Sequence, residues 1–349
     1  MRSTNSGGFL MNEKELSPHH IELTSSEVGA IWATYMTESA SKPVLTYFTH
    51  IVEDAEIMGL IDVALTKCSE HIATLTEIFL KEKYPIPIGF SDQDVNINAP
   101  RLYSDSFILY FIRQLGKAAI AAHGMAFSMS ARKDLRDLYF HYLTEAAKIE
   151  EMAKEIELSK GLFIRPPYLG KTAEASMVEQ QGFLRGWFGE RRTLTAAEIA
   201  HISMNYLNNA LGKALLIGFS QTARAEEVRK HFVRGIDVAG TIMEILRRLL
   251  EESSLPSPMT WDTEVTDSTV APFSDKLMLF HVISLNGIGL GNIGGSLALT
   301  MRRDLTAKYL KMIKDIGTYA EDTVNIMIKN NWFERPPQAM DRNYLSKQH

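Results

Sequence analysis

The sequence predicts an all-α protein built as two tandem four-helix bundles. Three observations lead there. Apolar residues recur at spacings of three and four, the chain repeats itself after about 170 residues, and a double proline closes each copy of the repeat.

The repeat sets the domain organisation. Leu23-Thr24-x-x-Glu27 returns as Leu194-Thr195-x-x-Glu198. At a shift of 171, Ile31, Tyr35, Lys42, Leu45, Phe48, Glu56 and Leu75 match Ile202, Tyr206, Lys213, Leu216, Phe219, Glu227 and Leu246. After a one-residue deletion, Asp105, Leu109, Gly124, Arg132, Asp134, Tyr139 and Ile156 match Asp275, Leu279, Gly294, Arg302, Asp304, Tyr309 and Ile326. Phe163-Ile164-Arg165-Pro166-Pro167 answers Phe333-Glu334-Arg335-Pro336-Pro337, and the paired prolines stop a helix by removing backbone donors. The expected organisation is a polar tail at 1–22, copy one at 23–169, a linker at 170–193, copy two at 194–337 and a second tail at 338–349.

In copy one, Thr24-x-x-Glu27 is a capping box that opens a helix running to about residue 51. The second helix, about 55 to 83, carries the stripe Ile57, Ile61, Ala64, Cys68, Ile72, Leu75 and Phe79. A third spans about 103 to 130. The fourth, about 134 to 160, repeats the stripe with Leu135, Leu138, Tyr142, Ala146, Ile149, Ala153 and Ile156. Copy two predicts helices near 196–220, 225–252, 273–300 and 304–330. Short connections make hairpins of the first and last helix pairs. The segment between the second and third helices, with Pro85, Pro87, Gly89 and Pro100, is long enough at roughly 3.3 Å per residue to run back along the bundle. One long crossover between two hairpins is the ferritin-like arrangement.

Composition excludes several classes. With 45% hydrophobic and 23% charged residues the chain reads as an ordinary globular protein, and its formal charge of -5 supplies no basic field for nucleic acid. A lone cysteine, Cys68, forbids an internal disulfide framework and fits a reducing compartment, so the cytoplasm is the expected location. No run approaches 18 uninterrupted apolar residues, so neither a membrane span nor a signal peptide is expected.

The runs Pro85-Ile86-Pro87-Ile88-Gly89-Phe90, Asp94-Val95-Asn96-Ile97-Asn98-Ala99-Pro100-Arg101-Leu102 and Leu162-Phe163-Ile164-Arg165-Pro166-Pro167 resemble an uncharacterised family of duplicated ferritin-like bundle proteins from spore-forming bacteria. In copy two, Phe188-Gly189-Glu190-Arg191-Arg192, Asn208-Asn209-Ala210-Leu211-Gly212-Lys213 and Arg302-Arg303-Asp304-Leu305 resemble it equally. The resemblance implies the fold and no established activity. Some relatives carry a spore-coat label, which implies spore association as one setting.

Candidate chemistry is sparse. A ferritin-type two-metal site needs Glu-x-x-His on each of two helices with a Glu from each of the others, and the chain does not carry that set. No histidine inside one copy is matched by a histidine in the other: His71 and His123, for example, correspond to Ile242 and Ile293. Glu38 and His71 continue the buried stripes of the first two helices at similar height. The favoured reading is a buried hydrogen-bonded pair, and the alternative is a single metal ion held by both. Asn209 and Ile242 replace them in copy two, so any such site is single. The repeated carboxylates Glu27, Glu198, Asp134 and Asp304 read as helix-terminal residues, as do Glu56, Glu227, Asp105 and Asp275. Gly289-Leu290-Gly291-Asn292-Ile293-Gly294 spells a dinucleotide fingerprint without the strand that motif requires. The row Gly287, Gly291 and Gly295 suggests a close contact between copies or chains. Phe183, Trp187 and Phe188 in the linker are expected to pack between the bundles. The leading expectation is a non-enzymatic structural or interaction protein that self-associates or binds a protein through helical faces, without a cofactor. The alternatives are a metal-binding or redox protein and a binder of an apolar small molecule in a bundle cavity.

Overall fold

The computed structural model describes residues 21–171, 174–187, 191–342 and 346. Eight α-helices are present among them. Copy one contains α1 (Ser25–Ile51), α2 (Ala55–Lys81), α3 (Asp105–Met129) and α4 (Lys133–Ser159). Copy two contains α5 (Ala196–Thr222), α6 (Glu226–Glu251), α7 (Asp275–Leu299) and α8 (Arg303–Lys329). No strand occurs among the described residues, only two isolated bridges. The chain is all-helical, with two tandem repeats. Both capping boxes form: Thr24 and Thr195 accept from the backbone of Glu27 and Glu198, whose carboxylates return the bond.

Within each copy the short turns at 52–54, 130–132, 223–225 and 300–302 make antiparallel hairpins, and residues 82–104 and 252–274 form the crossovers. The repeated carboxylates hold these turns together. Asp105, in the first turn of α3, accepts from Asp54 N at 2.9 Å, and Asp275 accepts from Arg224 N and Ala225 N at 2.9 and 2.8 Å. Glu27 reaches past its own cap to Ala131 N and Arg132 N at 2.9 and 2.8 Å. Each of these acids therefore ties one hairpin to the other as well as ending a helix.

The two copies are joined by their crossovers, which exchange equivalent contacts about a pseudo-twofold axis. Val95 bridges Phe273 and Tyr103 bridges Val265. Asn96 N donates to Pro272 O at 2.7 Å, and Thr266 N donates to Leu102 O at 2.9 Å. Ser274, the N-cap of α7, donates through its hydroxyl to Asp94 at 2.6 Å, while Ser104, the N-cap of α3, donates to Glu264. Each crossover thus helps to cap the third helix of the other copy, which repetition alone does not reveal. One cluster of buried apolar side chains runs through both copies, from Phe48 and Phe111 to Phe219 and Phe273. The cores are fused, although the repeats remain equivalent in topology.

Tyr103 is the anchor of this joint. It is fully buried, its hydroxyl donates to Leu215 O at 2.9 Å, and its ring lies against Gly218 of α5. A Cβ at Gly218 would sit 2.4 Å from the Tyr103 hydroxyl oxygen. Gly218→Ala is therefore expected to cost about 1 to 3 kcal/mol, the usual range for overpacking a filled core. Chemical denaturation of the purified variant measures it, and an unchanged midpoint would show that the joint can yield.

Helix α7 is the one described helix long and apolar enough, by length and composition only, to cross a membrane. Its first turns, including Leu277, Met278, Leu279, His281 and Val282, are buried in the protein, while Gly287, Gly291 and Gly295 face outward.

Candidate functional site

Copy one brings a polar cluster into the interior of its bundle. Glu38 comes from α1, His71 from α2 and Glu145 from α4, each at a position its helix turns toward the core. His71 Nδ1 lies 2.9 Å from Glu38 and Nε2 lies 2.8 Å from Glu145. Two carboxylates facing the two ring nitrogens require both nitrogens to donate, so the ring is an imidazolium. Burial alone would push the His71 pKa down, but the bonds to Glu38 and Glu145 outweigh it and hold it above the ordinary value. Burial likewise pushes the Glu145 carboxyl up, and the bonds from His71 and Lys67 hold it below the ordinary range. Tyr142 stacks on the His71 ring at 3.7 Å, and Lys67 Nζ reaches Glu145 at 2.9 Å.

Beside this cluster is a cavity of about 700 Å³, the size of a small-molecule pocket. Its walls are small side chains: Gly29, Ala30, Ala33 and Thr34 on α1, and Ala118, Ala119, Ala122 and Ala126 on α3. Phe280, Leu285 and Ile288 of α7 cover one part, and the polar cluster with Cys68 and His123 lines another. Gly29 and Ala33, with Met125 and Met129, lie at its exposed side. His123 is only 5% exposed and makes no hydrogen bond among the described residues. Burial lowers its pKa to about 4, so the ring is neutral. Cys68 donates its thiol to Glu38 O at 3.0 Å, and burial pushes its pKa far up, which makes it an inert core thiol.

Copy two is an internal control for this cavity. The positions of Ala30, Thr34 and Ala126 hold His201, Asn205 and Ser296. These three stitch α5 to α7: Ser296 Oγ lies 3.1 Å from His201 Nδ1 and 2.7 Å from Asn205 Nδ2. His71 and His123 give way to Ile242 and Ile293, both buried. Tyr319 stands where copy one has Ile149 and packs so closely over Gly235 that a Cβ there would meet its hydroxyl at 2.2 Å. Larger and hydrogen-bonding side chains thus link α5 to α7 in copy two at positions where copy one has Ala30, Thr34 and Ala126 along its cavity. The buried apolar residues of copy one are correspondingly divided, with Ile31, Leu75, Phe79, Leu135 and Tyr139 forming a separate cluster from the main core.

A protein-family comparison matches this chain twice, over residues 11–174 and 182–345, to the family described as "Protein of unknown function (DUF3231)". The chain belongs to the DUF3231 family. Among solved structures this DUF3231 chain is similar to a "putative spore coat protein" from Bacillus halodurans, at 17% identity over 43% of this chain and 98% of that one, with a TM-score of 0.39. No functionally curated protein matches it.

In this DUF3231 chain Glu38 and His71 do face each other, as a hydrogen-bonded pair. Sequence reading missed Glu145 and the cavity role of His123. Glu145 was visible as an acid three residues beyond Tyr142 on the buried stripe of the fourth helix, and His123 as a polar residue on a helix otherwise walled with alanine. One Glu-x-x-His run, Glu198 to His201, passed unnoticed too. It is structural: Arg192 and the Thr195 backbone hold Glu198, with its pKa lowered to about 2 although burial opposes this, and His201 bonds Ser296. The glycine row of α7 makes no close contact among the described residues, since Cβ atoms at Gly287, Gly291 and Gly295 would meet nothing within 4 Å there. Trp187 is 58% exposed rather than packed between the bundles, because the crossovers already fill that joint. Phe183 instead sits under the Arg192 guanidinium at 4.2 Å, and Phe188 lies outside the described residues.

Proposed function

We propose that this DUF3231 protein is a binding protein whose first copy holds an apolar small molecule in the cavity between α1 and α3, while the second copy is the structural half of a duplicated fold. The observation that carries this reading is the difference between equivalent places: open and alanine-walled in copy one, stitched by His201, Asn205 and Ser296 in copy two. Both His71 nitrogens are committed to carboxylates, which supports the hydrogen-bonded reading of Glu38 and His71 over a metal-ligating one, because a ligand needs a free lone pair.

Titration with the neutral fluorescent probe N-phenyl-1-naphthylamine tests the reading. The wild-type chain is expected to bind it and to melt at a higher temperature in its presence, since a ligand that binds only the folded state stabilises it. The triple variant Ala30→His, Thr34→Asn, Ala126→Ser carries the stitching of copy two into copy one and should lose at least about tenfold in probe affinity, or about 1.4 kcal/mol. No binding by the wild type, or equal binding by a folded triple variant, would sink the proposal.

A further inference from the structure

The cavity contains a clue to the chemistry of its occupant. His123 is only 5% exposed, lines the cavity, and makes no hydrogen bond through either ring nitrogen among the described residues. Neither nitrogen is wholly shut off, so the ring can be reached from the cavity it lines, and a ligand there can supply the hydrogen bond that the described residues do not. The charges nearby are already paired: the Glu38 and Glu145 carboxylates are met by the His71 imidazolium and the Lys67 ammonium, Lys67 also pairs with Glu70, and His141 lies against Glu145 at the surface. A carboxylate head would add an uncompensated anion next to Glu38 and Glu145, and His123, kept neutral by burial, would not become its counter-ion. A cationic head would have to shed its water beside His71 and Lys67. A hydroxyl avoids both penalties, since it can either accept from the N–H of the neutral His123 ring or donate to the ring's bare nitrogen, whichever faces the cavity.

We infer that the cavity takes an uncharged apolar alcohol, with its hydrocarbon body between the alanine walls of α1 and α3 and its hydroxyl at His123. This rests on the binding reading above. The test is displacement of N-phenyl-1-naphthylamine from the full-length chain at pH 7.5 by 1-dodecanol, dodecanoate and dodecylamine, which share one chain length and differ in head charge. The alcohol is expected to displace the probe at roughly one tenth of the concentration of either charged compound, the effect of about one well-formed hydrogen bond plus avoided charge burial. His123→Leu should lower the preference for the alcohol over the two charged compounds about tenfold, each measured relative to the probe on the same variant, and His123→Gln, which keeps a donor and an acceptor, should restore most of that preference. Displacement by dodecanoate or dodecylamine at equal or lower concentration overturns the inference but leaves the cavity reading standing, as does an alcohol preference that His123→Leu leaves unchanged. Failure of the probe itself to bind removes both.

Discussion

Between pH 6.5 and pH 4 the protein is expected to lose most of its stability, because three buried histidines resist protonation. Burial lowers the pKa of His123, His231 and His281 from 6.5 to about 4, helped at His231 by Arg234 and at His123 by the His71 charge. Their folded pKa values lie below the unfolded one, so on acidification the unfolded chain binds protons first. The stability they contribute is complete above pH 6.5 and is lost as pH falls toward about 4. Each depressed pKa unit corresponds to about 1.4 kcal/mol, so three groups give a slope approaching about 4 kcal/mol per pH unit in mid-range. Against a total of about 5 to 15 kcal/mol for a typical protein, that suffices to unfold it. His71 has the opposite sign: its raised pKa makes its contribution complete below pH 6.5 and lost only as pH rises through the folded value, so it adds nothing to the acid loss. Urea unfolding at a series of pH values measures the slope, and His123→Leu should reduce it by about one third. A flat profile from 6.5 to 4 would contradict the burial of these rings.

Replacing His71 is the second large effect. His71→Leu leaves Glu38 and Glu145 facing an apolar side chain, and loss of one partner from a buried charged set costs about 3 to 5 kcal/mol. Removing all three charges, as Glu38→Asn, His71→Ile, Glu145→Gln, takes its first two residues from Asn209 and Ile242 of copy two, where Asp315 stands at the Glu145 position, and should recover most of that loss, since an uncharged replacement of a buried ion set is often near neutral. Thermal melts of both variants at pH 7 decide it. If the triple variant is no more stable than the single one, the cluster is not the closed unit of charge described above.

The folded chain shows which features are legible in a sequence and which are not. The helices, their capping boxes and the duplication are written locally, in spacing and in Thr-x-x-Glu, and they appear where expected. The pairing of Glu38 with His71 also follows from counting turns along one hairpin. Glu145 enters from a helix more than seventy positions away, and its approach depends on how the two hairpins pack, which local periodicity does not encode. The reciprocal capping of α3 by Glu264 and of α7 by Asp94 is a relation between copies, invisible while each copy is read alone. The cavity was readable only as a difference: alanines on α1 and α3 look like ordinary helix formers until they are set against His201, Asn205 and Ser296 at the same positions. Trp187 misled because an aromatic linker suggests packing, and the joint between copies was already occupied by Tyr103 and Phe273.

The central claim is that an apolar space exists in copy one and not in copy two, and crystals of the full-length chain pressurised with xenon measure this directly, since xenon settles in dry apolar cavities. A xenon peak between α1 and α3, beside Ala119 and Ala122, with none between α5 and α7, is the predicted result. No xenon in copy one, with α1 and α3 closed together, would contradict it.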